Sequence, residues 1–479
     1  METQISFSDP CFPSSQSEMN GEIKISYPLA EAKNIRDAAN TIRHNSEKYF
    51  SSHSANDIEK VTDSIDATFV DTTTPENIKL IELICKTSGF SKHDIEKWGL
   101  GLFRAGMMYD PGMRGVFIDR AIRNSRIIET SHGYLKRFGR FNPFKRWKEP
   151  KLLSHFISGN VVGYTAILSR IGFPVRTKGA AQILKLPSAA SFFPLVYLKK
   201  IEEADPELRR TIACGYWKGG DDQVERTIIE ESDAINILSS DNAIKDLLSR
   251  TKKYHPGITT LLHGHKIGIA YISGEFTEDE DKLEKTLDGL ITDISAFDGA
   301  ACYNVKNIFV QGDPRKFAEK LFNKLDLFER NVSGVSESSG TTRKSLCRVY
   351  GGSGNVISSE TGNAFVRIRE YPEFWLPDEA FRYVQVMKVK DENEVYNVIK
   401  GHSRFLQTAI IAVPDEKIVP LLLLFGKAGV SNVHYPGSAP LINVYEEPHD
   451  GEFDSVKVRY GYSSHFTATN FKRNRDWLT

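Results

Sequence analysis

Cys302 is the residue of this chain whose type and setting point most directly to chemistry. It lies in the segment FDGAACYNVKNIFVQG, where small residues before the sulfur would let a substrate and a cofactor come close. A cysteine thiolate attacks carbonyl carbons, and local hydrogen-bond donors or a helix N-terminus favour the thiolate. The alternative is a packing role, because free cysteines are among the residues most often buried. Taken alone, this segment favours packing over catalysis.

Two polar residues nearer the N-terminus are expected at the ends of strands. Asn160 follows Gly159 at a strand-to-helix turn, where its amide could donate a hydrogen bond to a developing oxyanion. Asparagine at such turns more often acts as a cap or turn residue. Lys185 ends the segment AQILK, where it could reach the ribose or phosphate of a dinucleotide, and a solvated lysine is the alternative. No GxGxxG sequence occurs in this half, which argues against a standard Rossmann phosphate turn but leaves other dinucleotide sites open.

Other candidate sites are less specific. The segment HGHK at 263–266 carries two histidines that would point the same way on a strand, but no third ligand is nearby, so we expect no metal site. The basic stretch at 136–151 could hold phosphates or an acidic carrier protein, and a solvated loop explains it equally well. The five cysteines are odd in number and lack a CxxC pair, so neither a thiolate metal site nor a disulfide framework is expected.

The elements that must position these residues alternate between strand and helix. Apolar runs and turn signals predict strands at LLSHFIS, AQILKLPS, IACG and DAINILSS, with helical patterns between most of them. Ser240 or Asp241 is expected to cap the helix that follows the last of these strands. Such an order is typical of an α/β fold with a parallel sheet, and these sheets bind ligands at the carboxyl ends of their strands.

Four regions follow from these patterns. Residues 1–25 are polar and Ser-rich and are predicted to form a flexible tail. Residues 26–256 combine a helical N-terminal region with an α/β region that is the candidate dinucleotide-binding domain because its strand ends include Lys185, and residues 257–435 form a second α/β region that is the candidate catalytic domain because it carries Cys302. The C-terminal segment, residues 436–479, is expected to return to the cofactor domain or to an oligomer interface.

Composition limits the function classes. Lys plus Arg and Asp plus Glu both number 62, so bulk charge gives no sign of binding to nucleic acid or to a membrane surface. The N-terminus lacks the basic start and apolar run of a signal peptide, and no stretch of about 18 apolar residues predicts a membrane span. Because unpaired cysteines are typical of a reducing compartment, we expect a cytoplasmic protein.

The motifs occur in an order that resembles one known family. HFISGNV, an apolar helix, ILKLPS, DAINILSSDNAI, HGHKIGIAYI and AFDGAACYNVKNIFV are similar to segments of LuxC-type acyl-CoA reductases, the fatty-acid reductases of bacterial bioluminescence and their relatives. The resemblance covers residues 75–470 and includes the segment SSHFTAT near the C-terminus. That family belongs to the aldehyde dehydrogenase superfamily, so the resemblance implies an aldehyde-dehydrogenase-like fold.

The resemblance also implies a role for each matching residue. Cys302 matches the nucleophile and Asn160 the oxyanion-hole asparagine, which reverses the preference for packing at Cys302. Lys185 matches the lysine that binds the adenosine ribose. Ser188 stands where NAD-preferring enzymes often have an acidic residue, which favours NADPH as the cofactor. Ser239 and Ser240 match a loop over the cofactor diphosphate that is usually Gly-rich in the family, and Glu379 matches the glutamate that holds the nicotinamide ribose.

One expected residue is missing from the sequence. Oxidising aldehyde dehydrogenases carry a general-base glutamate in a strand that here reads TLLHGHK, with Leu262 in its place. Without that base, water is poorly activated to hydrolyse an acyl-enzyme. The resemblance therefore implies NADPH-dependent reduction of an acyl thioester to an aldehyde, with acyl-CoA or an acyl-carrier or acyl-protein donor. An oxidative aldehyde dehydrogenase and a non-catalytic acyl-binding subunit are the alternatives. Acyl-transferase or synthetase subunits and further copies of the chain are the implied partners.

Overall fold

The computed structural model describes residues 3–20, 23–101, 151–159, 181–187, 192–332, 355–360, 364–377, 382–440 and 470–472. The strands are β1 (Thr3–Ser6), β2 (Ser14–Asn20), β3 (Ile23–Leu29), β4 (Leu152–Phe156), β5 (Ala181–Lys185), β6 (Ile212–Gly215), β7 (Ala234–Leu238), β8 (Thr259–His263), β9 (Ile267–Ile272), β10 (Val305–Val310), β11 (Val356–Ser358), β12 (Ala364–Arg369), β13 (Arg382–Lys388), β14 (Leu406–Ala412), β15 (Asn432–His434) and β16 (Asn470–Lys472). Within the described ranges they form three sheets.

The helices lie mainly between the strands. They are α1 (Ala32–Ser52), α2 (Ala55–Val70), α3 (Pro75–Ser88), α4 (Lys92–Asp94), α5 (Phe193–Ala204), α6 (Pro206–Arg209), α7 (Asp222–Glu231), α8 (Asp241–Tyr254), α9 (Gly274–Glu278), α10 (Glu280–Ser295), α11 (Pro314–Asn331), α12 (Glu392–Ile399) and α13 (Asp415–Ala428). Helix α4 continues into a π-helix, Ile95–Leu100, and short 3-10 helices occupy Ala296–Gly299 and Lys400–Phe405. Among the described helices, none has the length and apolar character that a membrane crossing would need.

The first parallel sheet has the strand order β6-β5-β4-β7-β8 and confirms the strands predicted at LLSHFIS, AQILKLPS, IACG and DAINILSS. These four strands are buried almost throughout, as short apolar runs must be when helices cover both faces. Ser240 caps α8, because its hydroxyl accepts the Ala243 N–H at 3.4 Å. This confirms one of the two predicted caps, Ser240 and Asp241. Since all five strands run parallel, Lys185 and the N-terminus of α8 share one edge of the sheet.

The second sheet carries the Cys302 turn. Its order is β11-β12-β13-β10-β9-β14-β15-β16. Among the described strands of this sheet, β11 and β12 are antiparallel and all other neighbours are parallel. Leucines 283, 287 and 290 of α10 are buried in the core against the central strands. The chain leaves α10, turns at Cys302 and enters β10, so the candidate nucleophile lies between a buried helix and a central strand.

The chain crosses from the first sheet to the second at residues 264–266. Strand β8 still pairs with β7, whereas β9 pairs with β10 and β14. The sequence analysis placed the domain boundary at residue 257, before β8, because TTLLHGHKIGIAYISG reads as a single strand-like run. The crossing is tight: a Cβ on Gly264 would lie 2.5 Å from Asp241 Oδ1, and the His265 N–H donates to that same oxygen at 2.9 Å.

The structure places strands β1, β2 and β3 at the N-terminus, where the sequence analysis predicted a flexible tail over residues 1–25. Strands β1 and β2 flank β3 in a three-stranded sheet. The Tyr216 N–H donates to the Pro28 carbonyl at 2.7 Å, which joins the end of β3 to the chain just beyond β6. Asp9 and Phe12 are buried. The polar, Ser-rich composition did not predict these strands, because they are held by side chains that contact distant parts of the chain.

The described C-terminal residues 470–472 form the last strand of the second sheet. Strand β16 pairs in parallel with β15, with Val433 opposite Phe471. The described part of residues 436–479 thus adds a strand to the second sheet, whereas the sequence analysis expected the cofactor domain or an oligomer interface. Residues close to one another in a sheet can be far apart in sequence, and a three-residue strand leaves almost no periodic signal.

Candidate active site

The turn that holds Cys302 is organised by one side chain. The Asn304 carboxamide oxygen accepts the Ala301 N–H at 2.6 Å, and the Asn304 N–H donates to the Ala301 carbonyl at 3.0 Å. The Asn304 amide also donates to the Asp293 carbonyl in α10 at 3.0 Å. Cys302 itself is half-buried. Asn304 therefore ties the turn both to itself and to the preceding helix, which fixes where the sulfur can lie.

A buried carboxylate supports the same helix from the other side. Asp293 is fully buried and accepts the N–H groups of Gly437 at 2.7 Å and Ala439 at 2.9 Å. Burial raises the pKa of Asp293 to about 7, although the two backbone hydrogen bonds act in the opposite direction. Gly289 on α10 packs so closely that a Cβ there would lie 2.5 Å from the Pro436 backbone. Helix α10 is thus held against the 436–439 loop.

The other described cysteines are poor candidates for the nucleophile. Burial raises the pKa of Cys11 to about 12 and of Cys85 to about 11, and it raises the pKa of the fully buried Cys214 further. A thiol that remains protonated at neutral pH does not attack a carbonyl. Cys347 lies outside the described residues. Among the four cysteines that the structure describes, none of which forms a disulfide, the structure favours Cys302 as the nucleophile.

Lys185 ends β5 in a half-buried position at the carboxyl edge of the first sheet. Burial lowers the pKa of the Lys185 ammonium, and the nearby Glu225 partly opposes this effect. Within the described ranges its Nζ donates to the adjacent Leu186 carbonyl at 3.3 Å and lies 5.6 Å from the centre of the Trp217 ring. A desolvated ammonium with a single long hydrogen bond is suited to bind a polar ligand.

Glu225 completes the surroundings of Lys185. Its carboxylate accepts the Gly220 N–H at 3.0 Å and a hydrogen bond from Arg250 Nη1 at 3.0 Å, and its side chain is only 3% exposed. Burial raises the pKa of Glu225, and the neighbouring Arg250 and Lys185 oppose the rise. This pair joins α7 to α8 beside the edge where Lys185 lies.

Ser239 and Ser240 lie between β7 and the start of α8. The Ser239 N–H donates to the His263 carbonyl at 3.2 Å, which extends the pairing with β8. The Ser240 side chain is occupied as the helix cap. The free N–H groups at the start of a helix attract anions, so this end of α8 could hold a phosphate through its backbone. The structure therefore supports a cap role for Ser240 and leaves its predicted contact with the cofactor a proposal.

Three predicted site residues, Asn160, Ser188 and Glu379, lie outside the described residues. Most of the basic stretch at 136–151 also lies outside them. The strands that lead to these positions are described: β4 and β5 end at the edge that carries Lys185, and β13 begins shortly after Glu379. The roles assigned to these three residues stay predictions.

The two histidines of HGHK do not share a strand. His263 is buried at the end of β8, and His265 lies in the crossing to β9, with its ring edge-on to Phe405 at 6.5 Å. No cluster of three or more His, Cys, Asp or Glu side chains suited to a metal occurs in the part of the chain that the structure describes. Leu262 is half-buried on β8 opposite Ile237 and packs on the apolar core, so it offers no base.

Sequence reasoning missed a charged group next to the Cys302 turn. Phe297 and Asp298 have left-handed backbone conformations, and Asp94 and Arg382 contact them. The Asp298-Gly299 pair is a known turn signal and could have indicated an unusual backbone. Nothing in the sequence links this turn to Asp94 or Arg382.

Comparison with known proteins also indicates an acyl-CoA reductase family. The profile of the family described as "Acyl-CoA reductase (LuxC)" matches residues 117–456. A curated relative, the long-chain acyl-protein thioester reductase of Vibrio harveyi, is 25% identical over 313 residues. That match covers 60% of this chain and 60% of the relative, so it spans less than two thirds of the relative's length.

Solved structures of aldehyde dehydrogenases share the fold. Methylmalonate-semialdehyde dehydrogenase of Oceanimonas doudoroffii has a TM-score of 0.64 at 12% identity, covering 90% of this chain and 88% of its own. Aldehyde dehydrogenase 21 of Physcomitrella patens has a TM-score of 0.65 at 13% identity, covering 94% and 93%. NADP-dependent glyceraldehyde-3-phosphate dehydrogenase of Bacillus halodurans, solved with NADP, has a TM-score of 0.61 at 16% identity, covering 88% and 87%.

These similarities confirm the predicted aldehyde-dehydrogenase-like α/β fold and the predicted family. The family profile covers most of the chain, including β4 to β10, the Cys302 turn and Lys185. The chain belongs to the acyl-CoA reductase (LuxC) family.

Proposed function

We propose that this chain reduces an acyl thioester to an aldehyde with NADPH, through an acyl group held on Cys302. The observation that carries the proposal is the Cys302 turn: a half-buried thiol, fixed by Asn304, between α10 and the central strand β10. A reductase of long-chain acyl-protein thioesters among the relatives supports the same reaction class.

The chain's own residues would act as follows. The Cys302 thiolate attacks the thioester carbonyl, and the bond from the carbonyl carbon to the donor sulfur breaks. Coenzyme A or a carrier thiol then leaves as a thiolate and takes up a proton. The Asn160 amide and the Cys302 N–H would stabilise the oxyanion, each contributing typically about 3 kcal/mol. After reduction, the bond from Cys302 to the carbon breaks and the aldehyde is released.

The residues present are suited to a dinucleotide. Lys185 offers a desolvated ammonium at the carboxyl edge of a parallel sheet, and the N-terminus of α8 offers backbone donors at the same edge. Lys185 and Ser188 would contact the adenosine ribose, Ser239 and Ser240 the diphosphate, and Glu379 the nicotinamide ribose. NADPH, when bound, supplies the hydride. A thiolate nucleophile also needs a reducing compartment, for which the cytoplasm is our inference.

Intact-protein mass spectrometry with a panel of acyl thioesters tests this function. We expect one acyl adduct per chain, located on Cys302 by peptide mapping, and its loss with aldehyde release when NADPH is added. The panel should include acyl-CoA of several chain lengths and an acyl-carrier protein, because the residues described here do not select between them. A protein that forms no adduct with any of these donors would contradict the proposal.

The direction of the reaction can be tested separately. With NADP⁺ and a long-chain aldehyde but no added thiol, we expect only slow release of carboxylate, because apolar Leu262 stands in place of a general base. Such a base typically contributes about 10²-fold or more to the rate. Adding coenzyme A should restore turnover by removing the acyl group as a thioester. Rapid release of carboxylate without a thiol would instead favour an oxidative aldehyde dehydrogenase.

Lys185→Met should weaken NADPH binding by about tenfold or more, because a charge-assisted hydrogen bond to the ribose is lost. Titration by quenching of tryptophan fluorescence can measure this, since Trp217 lies next to Lys185. Lys200→Met is a matched control, because Lys200 pairs with Glu76 and Glu203.

Comparing the binding of 2′,5′-ADP with that of 5′-AMP tests the expected preference for a 2′-phosphate. Equal NADPH affinity in Lys185→Met and the unmodified chain would argue against this site, and no binding at all would favour a non-catalytic acyl-binding subunit.

We further propose that the acyl donor is delivered by another protein, such as an acyl-transferase or synthetase subunit, and that the chain assembles with copies of itself. The similarity to an acyl-protein thioester reductase supports the first of these proposals. Size-exclusion chromatography with light scattering, with and without an acyl-carrier protein, tests both.

A further inference from the structure

The backbone just before Cys302 is in an unfavourable conformation. Phe297 has φ 51° and ψ 40°, and Asp298 has φ 55° and ψ 29°, both in the left-handed region. Within the described ranges these are the only residues other than glycine with positive φ. Left-handed geometry disfavours a residue with a Cβ by about tenfold. Two such residues in succession persist only where the surroundings hold them, and strained backbones of this kind cluster at functional sites.

Asp94 holds the first of the two residues. One carboxylate oxygen of Asp94 accepts the Phe297 N–H at 3.0 Å, and the other accepts the Ser91 hydroxyl at 2.8 Å. The Phe297 side chain is fully buried, with its ring edge-on to Phe90 at 5.7 Å. Asp94 lies where α4 passes into the π-helix, and π-helical turns often occur at functional sites. A segment distant in sequence therefore fixes the start of the Cys302 turn.

Arg382 holds the second residue. Its Nε lies 3.2 Å from Asp298 Oδ1, and the Arg382 side chain is 1% exposed. The guanidinium also lies over the Phe328 ring, 5.2 Å from its centre. Burial raises the pKa of Asp94 to about 6, and the hydrogen bond from Ser91 and the charge of Arg382 oppose this rise. A buried arginine is stable only when such partners neutralise it.

A displacement of Phe297 and Asp298 would move the Cys302 sulfur. The Ala300 N–H donates to the Phe297 carbonyl at 3.0 Å, and the next residue, Ala301, is bound to Asn304. The chain from Phe297 to Cys302 is thus a continuous series of hydrogen-bonded turns. A nucleophile misplaced by about 1 Å can lose about 100-fold in rate.

We propose that Arg382, together with Asp94 and Asp298, is a positioning clamp that holds the strained turn before Cys302 and so sets the reactive geometry of the thiol. This inference rests on the proposed role of Cys302. In this proposal Arg382 is a positioning residue that acts through the backbone of Phe297 and Asp298.

Two substitutions of Asp298 distinguish an effect on the position of the thiol from an effect of removing a buried charge. Asp298→Ala and Asp298→Gly remove the same carboxylate, but only glycine adopts the left-handed conformation without penalty. Alkylation of Cys302 by iodoacetamide, followed by peptide mass spectrometry, reports on the thiol without requiring any substrate. We expect Asp298→Ala to be alkylated about tenfold more slowly than Asp298→Gly. Equal rates in the two variants would overturn the proposal, because a purely structural ion pair would affect both alike.

Substitutions of the arginine give the second measurement. Arg382→Met should slow Cys302 alkylation by about tenfold to 100-fold, and Arg382→Lys should recover part of the loss because it keeps the charge. Arg369→Met is the matched control, because Arg369 lies on the neighbouring strand β12 and pairs with Glu373 at 2.7 Å, but its side chain is 39% exposed. An unchanged rate in Arg382→Met would contradict the clamp. If Arg382→Met does not fold, Arg382→Lys tests the arginine instead, and an alkylation rate equal to that of the unmodified chain would contradict the clamp.

Failure of the clamp and failure of the proposed function give different results. If the unmodified chain accepts no acyl thioester but the alanine and glycine variants still differ in alkylation, the reductase function fails and the clamp stands. If acyl transfer to Cys302 occurs but the two variants react alike, the function stands and the clamp fails. NADPH affinity should be the same in all of these variants, which distinguishes positioning of the thiol from disturbance of the cofactor site.

Discussion

Replacing Cys302 with alanine should abolish the acyl adduct and reduce aldehyde formation by at least about 10⁴-fold. The expected loss is large because the proposed reaction passes through a covalent bond to this sulfur, and no other described thiol can take its place. Burial keeps Cys11, Cys85 and Cys214 protonated at neutral pH. Incubation with a radiolabelled acyl thioester, together with a carbonyl assay in the presence of NADPH, measures both effects.

Cys85→Ala is the matched control for this substitution. Cys85 is half-buried like Cys302, but burial raises its pKa to about 11, so its removal should leave acylation and reduction unchanged. The Cys302→Ala variant should still bind NADPH with unaltered affinity, which would show that its fold is intact. Substantial aldehyde formation by that variant would transfer the nucleophile's role to another residue, and Cys347 would be examined first.

The first sheet was predictable because its strands have a strong local signal. Short apolar runs between turn residues predicted β4, β5, β6 and β7, and each is a buried parallel strand in the structure. The cap at Ser240 was likewise readable from the residues beside it. In all of these cases the information lies within a few residues of the feature that it determines.

The support of the candidate site was not predictable, because it depends on contacts between distant segments. Cys302 taken alone favoured packing, and only the ordered resemblance to a family reversed that interpretation. The Asp94 contact with Phe297 joins residues 203 positions apart. The Asp298 carboxylate pairs with a buried arginine, Arg382, that begins β13 and lies 84 positions further along the chain. Composition and periodicity carry no information about such pairings.

The structure of the N-terminal segment was likewise not predictable, because it depends on contacts with distant residues. Composition predicted a flexible tail over residues 1–25, but one buried ion pair anchors it. Asp9 Oδ2 accepts a hydrogen bond from Arg209 Nη2 at 2.7 Å, and the side chains of Asp9 and Arg209 are 0% and 4% exposed. The Asp9 carboxylate also accepts the N–H groups of Cys11 at 2.9 Å and Cys214 at 3.0 Å. Asp9 thus joins the N-terminal sheet to α6 and β6.

Asp9→Ala should therefore lower the free energy of unfolding by about 3–5 kcal/mol. The effect is large because Arg209 would remain charged and buried without its carboxylate, and two backbone N–H groups would also lose their acceptor. Urea denaturation followed by tryptophan fluorescence measures the change, since Trp217 lies two residues beyond the end of β6 and is buried. The double variant Asp9→Ala with Arg209→Met should recover much of the loss, because it removes both charges together.

Glu47→Gln provides the control for ion pairing as such. Glu47 pairs with Lys151 at 2.6 Å, but their side chains are 61% and 58% exposed, so water screens the charges and no measurable change in stability is expected. The contrast between the two variants tests burial rather than charge. If Asp9→Ala were as stable as Glu47→Gln, the N-terminal segment would contribute little to the fold, and the flexible tail predicted from its composition would describe it better than an anchored sheet. A large loss that Arg209→Met reverses would instead establish that a single desolvated pair decides whether this segment is part of the domain.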